Sequence, residues 1–186
     1  MIDQRPPGAA RALVGAAEAL PLGDRSVDAA LAVLTVHHWT DLERAWAEIR
    51  RVVRRRAVFL TFDPDAPPFC LTRDYLPEIR EVDALRTPPL SAFDELGAAE
   101  ARPLPIPHDC TDGFLAAYWR RPAAYLDPVV RANISAFAAI EPAGRRRGLD
   151  ALRRDLDDGT WASANRELLH ADALDAGYRL VVCTLS

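Results

Sequence analysis

Residues 27–39 read VDAALAVLTVHHW, and the change of polarity inside this stretch decides the fold. From Ala29 to Leu34 every residue is apolar. That run is too short for a full helix and suits a strand buried on both faces. Polar residues follow at Thr35, His37 and His38. Thr40-Asp41-Leu42-Glu43 then has the form of a capping box, with Thr40 as N-cap and Glu43 three positions on. Leu42, Ala45, Trp46, Ile49, Val52 and Val53 recur at helical spacing and define one apolar face. A buried strand, a polar turn and an amphipathic helix make half of a βαβ unit. Its ligand end is the carboxyl end of the strand, where His37 and His38 stand.

Working outward, Leu13-Val14-Gly15 is a short strand candidate, and Pro21, Gly23 and Asp24 mark the turn into the core strand. A second apolar strand is expected at residues 57–62, stopped by Asp63-Pro64-Asp65. A helix is expected within residues 72–86, started or kinked by Pro77, and a short one at residues 91–96, closed by Gly97. In residues 101–107, ARPLPIP, the prolines stand two apart, so their missing donors lie on one side and the strand must be an edge. Helices follow around residues 112–125, 128–140, 145–157 and 161–176, with Leu149, Leu152 and Leu156 on one face and Gly177 ending the last. Residues 178–185 form a final, nearly all-apolar strand, hence a central one. Neither repeat nor linker interrupts the 186 residues, which suit a single domain with a proper core.

Composition narrows the function. Net charge is −4, which disfavours a nucleic-acid backbone as partner. All 23 basic residues are arginine. With no lysine, a Walker-type phosphate loop, a Schiff base and a lysine general base are excluded together. Cys70, Cys110 and Cys183 lie far apart without a CxxC pair, which fits free thiols in a reducing cytoplasm and no metal cluster. No apolar run reaches membrane length and no signal peptide is present, so no membrane partner is expected.

The stretch AEALPLGDRSVDAALAVLTVHHWTDLERAWAEIRRVVRRRAVFLTF resembles the middle of the class I S-adenosylmethionine-dependent methyltransferases. In that family an "AExLP…D.S.D" segment precedes a strand, "HHW.D" follows it, and "E..RVL.PGG" leads to the next strand. PHDCTDGFLAAYWRRPAAYLDP is similar to bacterial small-molecule members. The resemblance implies an α/β fold with a partial Rossmann-like sheet, mostly parallel with one antiparallel strand inserted next to the edge, flanked by helices and helical towards its C-terminal part. It also implies S-adenosylmethionine as cofactor and a small molecule as methyl acceptor. The departures are equally specific. No G-x-G occurs, the acid that holds the ribose hydroxyls is missing, and Arg54-Arg55-Arg56 replaces the "PGG" turn. Met1-Ile2-Asp3-Gln4 is similar to the segment just after that acid, so the chain reads as this fold without its first strands, and binding of the cofactor by this chain alone is expected to be weak or nil.

By resemblance, Ala17 and Glu18 lie beside the adenine, and Leu34, Thr35 and His37 face the methionine part. His37, His38 and His108 are the candidate proton acceptors, since an unperturbed imidazole titrates near neutrality. His170, among Leu168, Leu169 and Ala171, reads as structural. Adjacent histidines point apart and no further ligands accompany them, so no metal is expected. In His108-Asp109-Cys110, neighbours cannot present nucleophile and base to one another, so the segment reads as a loop along the acceptor pocket. Tyr118 and Trp119 read as core, and Arg145-Arg146-Arg147 as a solvated first turn of a helix. Two functions stand: a small-molecule methyltransferase, or a non-catalytic methyltransferase-like module acting as a dimer or ligand binder. The strand at residues 28–34 would expose an apolar edge with no Lys or Pro to blunt it, so a homodimer is expected.

Overall fold

A computed structural model describes Pro6 and residues 8–185. Among these, strands β1 (Val27–Val33), β2 (Val53–Phe62), β3 (Ala98–Pro103), β4 (Ile106–Pro107), β5 (Ala173–Leu174) and β6 (Tyr178–Thr184) form two sheets. The larger has the order β1-β2-β6-β3, and β4 pairs with β5. β1 and β2 run parallel, while β6 is antiparallel to both β2 and β3. The sheet is therefore mostly parallel with one antiparallel strand beside the edge. β6 is central because both its edges are paired, and its Tyr178, Val181 and Cys183 are buried.

Helix α1 (Leu42–Val52) buries Ala45, Trp46, Ile49 and Val52 on one face of this sheet. There they meet Ala57, Phe59, Val181 and Cys183, with Phe93 of the 3-10 turn Leu90–Leu96 closing the cluster. Trp46 and Phe59 cross edge-on at 5.4 Å, and Phe59 and Phe93 at 5.0 Å. Such aromatic pairs contribute about 0.5–1.5 kcal/mol each beyond their buried area.

The rest of the chain packs a second core beyond the carboxyl ends of β1 and β2. It comprises a π turn at Leu71–Tyr75 and helices α2 (Glu78–Arg86), α3 (Pro128–Ala132), α4 (Ser135–Ala139), α5 (Pro142–Asp157) and α6 (Thr160–Ala164). Trp119, Tyr125, Phe137, Leu76 and Leu152 are its fully buried centre. α5 approaches the π turn so closely that a Cβ on Gly148 would stand 2.2 Å from the Tyr75 carbonyl oxygen, so only glycine fits. Leu152 is buried, with Leu149 and Leu156 half-buried beside it, as the helical spacing predicts.

Several local expectations are corrected. The N-cap of α1 is Asp41, whose Oδ1 accepts from Arg44 N at 3.0 Å, and not Thr40. β1 is not buried on both faces: Leu31 is 67 % and Val33 51 % exposed, because among the described residues β1 pairs with β2 alone and nothing covers that face. Leu13-Val14-Gly15 forms no strand, and Val14 is 80 % exposed. Arg54-Arg55-Arg56 is no turn but the first part of β2, where Arg54 pairs with Asp28 of β1 at 3.1 Å. The edge strand is Ala98–Pro103; the chain then leaves it, and Ile106–Pro107 joins Ala173–Leu174 instead.

The helix expected at residues 112–125 is two 3-10 turns, Leu115–Tyr118 and Pro122–Leu126, broken where Pro122 has no donor. That at residues 128–140 divides into α3 and α4 at Asn133-Ile134. The helix expected at residues 161–176 stops after Ala164. Asn165 there turns its amide back to the Trp161 carbonyl, and the 3-10 turn Leu168–His170 and β5 follow. Gly177, with φ of 89°, ends no helix but turns the chain into β6. Arg145–Arg147 fall in the second turn of α5, after Pro142 at its start. The segment Met1-Ile2-Asp3-Gln4, read by resemblance as following the ribose acid, lies outside the described residues.

Candidate functional site

β1 ends on Leu34, which adopts φ of 47° although it carries a branched side chain. This left-handed conformation is costly outside glycine and marks sites where backbone direction matters. Leu34 N donates to the Leu60 carbonyl at 2.8 Å, which fixes the turn to the neighbouring strand. The chain then enters the 3-10 turn Val36–His38, with Val36 buried as its anchor. His37 and His38 project from this turn with ring centroids 3.9 Å apart.

Both imidazoles line a cleft of about 220 Å³ at the carboxyl ends of β1 and β2. Leu34 and Phe62 come from the two strand ends and Tyr178 from the start of β6. Asp83 and Thr87 come from α2, Phe114 and Leu115 from the segment after β4, and Asn133, Ile134 and Ser135 from the α3–α4 junction. Burial pushes the His37 imidazole down to about 4, helped by His38 and Arg86, so His37 is neutral at pH 7. Burial likewise pushes the Asp83 carboxyl up to about 6, although Arg86 and Arg80 pull it back.

A second hollow, of about 250 Å³ and mostly apolar, lies on the β1 side. Ala17, Leu20, Thr35 and Trp39 wall it together with β1 and the Val58-Phe59 pair of β2. The expected cofactor residues are thus divided: Ala17 and Thr35 share this hollow, whereas Leu34 and His37 face the cleft. Glu18 is otherwise engaged. Its Oε1 accepts from Thr40 N at 2.7 Å, Thr40 Oγ1 at 3.0 Å and Asp41 N at 3.3 Å. These donors, with its own backbone N–H, hold the Glu18 carboxyl down to about 2. Glu18 therefore ties the loop before β1 to the start of α1.

His108 is not brought to the histidine pair. Its Nδ1 lies 2.6 Å from Arg120 Nη2, and its residue is absent from the cleft wall, as is Cys110. The pocket-lining role expected of the segment falls instead on Gly113, Phe114 and Leu115 just beyond it. His170 is exposed in the turn Leu168–His170. Trp119 is core, its Nε1 donating to the Ile106 carbonyl at 3.0 Å.

Asp83 escaped the sequence reading. The signal was present: four residues after Ile79, it occupies the buried face of α2, where the helical period calls for an apolar side chain.

The two shifted groups next to the loop and cleft carry a pH signature. Both Glu18 and His37 have folded pKa values below their ordinary ones. In each case the unfolded chain binds more protons, so stability is complete above the ordinary pKa and is lost as pH falls through the folded value. His37→Gln should flatten the decline between about pH 6.5 and 4, and Glu18→Gln the decline between about pH 4.5 and 2. Urea midpoints measured across that range check both; an unchanged profile in either variant would contradict its assignment.

A family model described as "Methyltransferase domain" matches residues 2–61. A crystal structure from Anabaena variabilis ATCC 29413, named as a candidate methyltransferase from an antibiotic biosynthesis pathway, is 40% identical. The match covers 93% of this chain and 72% of that one, with a TM-score of 0.85. The chain belongs to the class I S-adenosylmethionine-dependent methyltransferase family. The YcgJ protein of Bacillus subtilis superposes with a TM-score of 0.46 at 18% identity, covering 92% of this chain and 69% of that one. No curated protein matches the sequence. The β1-β2-β6-β3 order, with its antiparallel β6, agrees with the mostly parallel sheet carrying one antiparallel strand that the resemblance implied. Among the described residues no helix is long and apolar enough to cross a membrane.

Proposed function

We propose that this chain serves methyl transfer from S-adenosylmethionine to a small molecule, as one methyltransferase-like domain of the cytoplasm. The carrying observation is the cleft at the carboxyl ends of β1 and β2, with both imidazoles in its wall and the strained Leu34 at its base. The name of the Anabaena relative supports a small-molecule acceptor.

The residues present suit the cofactor only in part. The apolar hollow with Ala17 and Thr35 suits a flat ring, and Leu34 and His37 border the cleft beyond it. Glu18, by contrast, is held through its Oε1 against Thr40 and Asp41 at the start of α1. When bound, the cofactor would supply a methyl group already activated by its sulfonium. The protein's own contribution is to align the acceptor and exclude water. Neutral His37 can accept a hydrogen bond from an acceptor hydroxyl, with His38 beside it to carry the proton.

The test uses labelled methyl-S-adenosylmethionine at millimolar concentration with low-molecular-weight cell extract. Label should pass to extractable products, fall at least tenfold in His37→Ala, and persist in His170→Ala. No label transfer at saturating cofactor would sink this reading.

A second reading, a non-catalytic dimeric module, is favoured by one observation: the unpaired edge and exposed Leu31 and Val33 of β1. An edge without Lys or Pro invites pairing with another copy. A stable dimer buries roughly 800 Å² per partner. Under either reading, sedimentation at micromolar concentration should report twice the chain mass, and Leu31→Arg should return it to a monomer. A wild-type monomer would refute the expectation.

A further inference from the structure

The cleft wall contains one acid whose charge Arg86 and Arg80 meet only at a distance. Asp83 lines it from the buried face of α2, and among the described residues its carboxylate accepts no hydrogen bond and forms no ion pair. Several other acids in this part of the fold have partners. Glu78 pairs with Arg147, Asp74 with Arg73 at 2.7 Å and Asp63 with Arg179 at 3.4 Å, and Asp155 accepts from the Tyr75 hydroxyl at 2.8 Å. The cations on its own helix do not close on it. Arg80 spends its guanidinium on the carbonyls of Ala66 and Pro64, and among the described residues Arg86 forms no ion pair, although its charge reaches the Asp83 carboxyl. A half-buried carboxylate without partners costs free energy that a cationic ligand would recover. The same cleft offers an apolar body site in Phe62, Phe114, Leu115 and Ile134.

We propose that the Asp83 carboxylate anchors a protonated amine of the methyl acceptor, with the acceptor's apolar body against Phe62, Phe114 and Ile134. This rests on the reading of the cleft as the acceptor site. A protonated nitrogen has no lone pair, so the anchored ammonium is not the atom that receives the methyl group. The acceptor therefore carries a second nucleophilic group, presented to the imidazole end of the cleft. At about 220 Å³ the cleft is smaller than a drug-sized pocket, so the acceptor, or the part of it that enters, is small.

The experiment titrates the wild-type chain with three probes of one skeleton: tyramine, the neutral alcohol 4-(2-hydroxyethyl)phenol, and 4-hydroxyphenylacetate. Proton NMR of the histidine ring hydrogens, assigned through His37→Ala and His38→Ala, reports binding in the cleft. Tyramine should bind at least tenfold tighter than the alcohol, and the carboxylate weakest. Asp83→Asn should remove the difference between amine and alcohol, and Asp83→Glu should keep part of it. A measurement independent of any variant is the same pair at pH 8 and pH 5. The Asp83 carboxyl faces His37 and His38 from the turn after β1, Tyr178 from β6, and Arg80 and Arg86 from α2. Burial raises it to about 6, so the preference for the amine should hold at pH 8 and collapse at pH 5. Equal binding of tyramine and the alcohol at pH 8, or a preference that survives Asp83→Asn, would overturn the role of Asp83 and leave methyl transfer standing. Failure of all three probes to move either histidine would overturn this proposal and the assignment of the cleft together.

Discussion

The purified 186-residue chain is expected to bind S-adenosylmethionine about a thousandfold more weakly than a complete site would. The physical reason is that the described residues around the hollow offer no charge-assisted partner for the sugar. A carboxylate accepting two ribose hydroxyls contributes about 1.5–3 kcal/mol per bond, and the loss of both removes a factor of roughly a hundred to ten thousand. The sequence has no G-x-G turn whose amides would approach the cofactor closely. Glu18, the acid nearest the hollow in sequence, already accepts from Thr40 and Asp41. The remaining hollow is walled mainly by alanine, leucine and valine side chains, which favour a ring but give no direction to a ribose. Titration calorimetry should therefore return a millimolar constant or no heat. Micromolar affinity would mean that residues assigned no role here complete the site.

The largest single effect on stability should come from Trp119→Ala. Trp119 is fully buried among Ile106, Ala116, Tyr125 and Cys70, and its Nε1–H satisfies the Ile106 carbonyl at 3.0 Å. Truncation removes the indole and opens a cavity, which costs about 3–5 kcal/mol in a core that cannot collapse. It also leaves the Ile106 carbonyl without its donor, and Ile106 begins β4, which closes this part of the core against β5. For a chain of this size the loss corresponds to a fall in Tm of about 6–20 °C. Trp119→Phe keeps the ring and loses the donor, so its cost should be clearly smaller. Thermal unfolding followed by circular dichroism decides the matter: a shift below about 3 °C for Trp119→Ala would show that this core is not packed as described.

Much of the architecture was legible because its causes are local in sequence. The apolar run at residues 29–34, the polar turn with His37 and His38, and the amphipathic spacing of α1 need only periodicity to be read, and they place the cleft at a strand end. Residues 178–185 are apolar at almost every position, and β6 is indeed paired on both sides. Pro77 immediately precedes α2, and Gly97 closes the turn at Leu90–Leu96, because each changes what the backbone can do at its own position.

What the tertiary structure alone decided depends on partners distant in sequence. Thr40 satisfies every local rule for an N-cap. Glu18, 22 residues upstream, takes its donors, and Asp41 caps instead. The helix-like stretches at residues 112–125 and 161–176 break into short turns, the first at Pro122 and the second where Asn165 turns its amide to the Trp161 carbonyl. His108 was a candidate base by residue type, but the fold carries it to Arg120 and away from the other imidazoles. Asp83 was not singled out in the sequence: the return of the chain, which sets α2 against the turn holding His37 and His38, is what places it in the wall of the cleft.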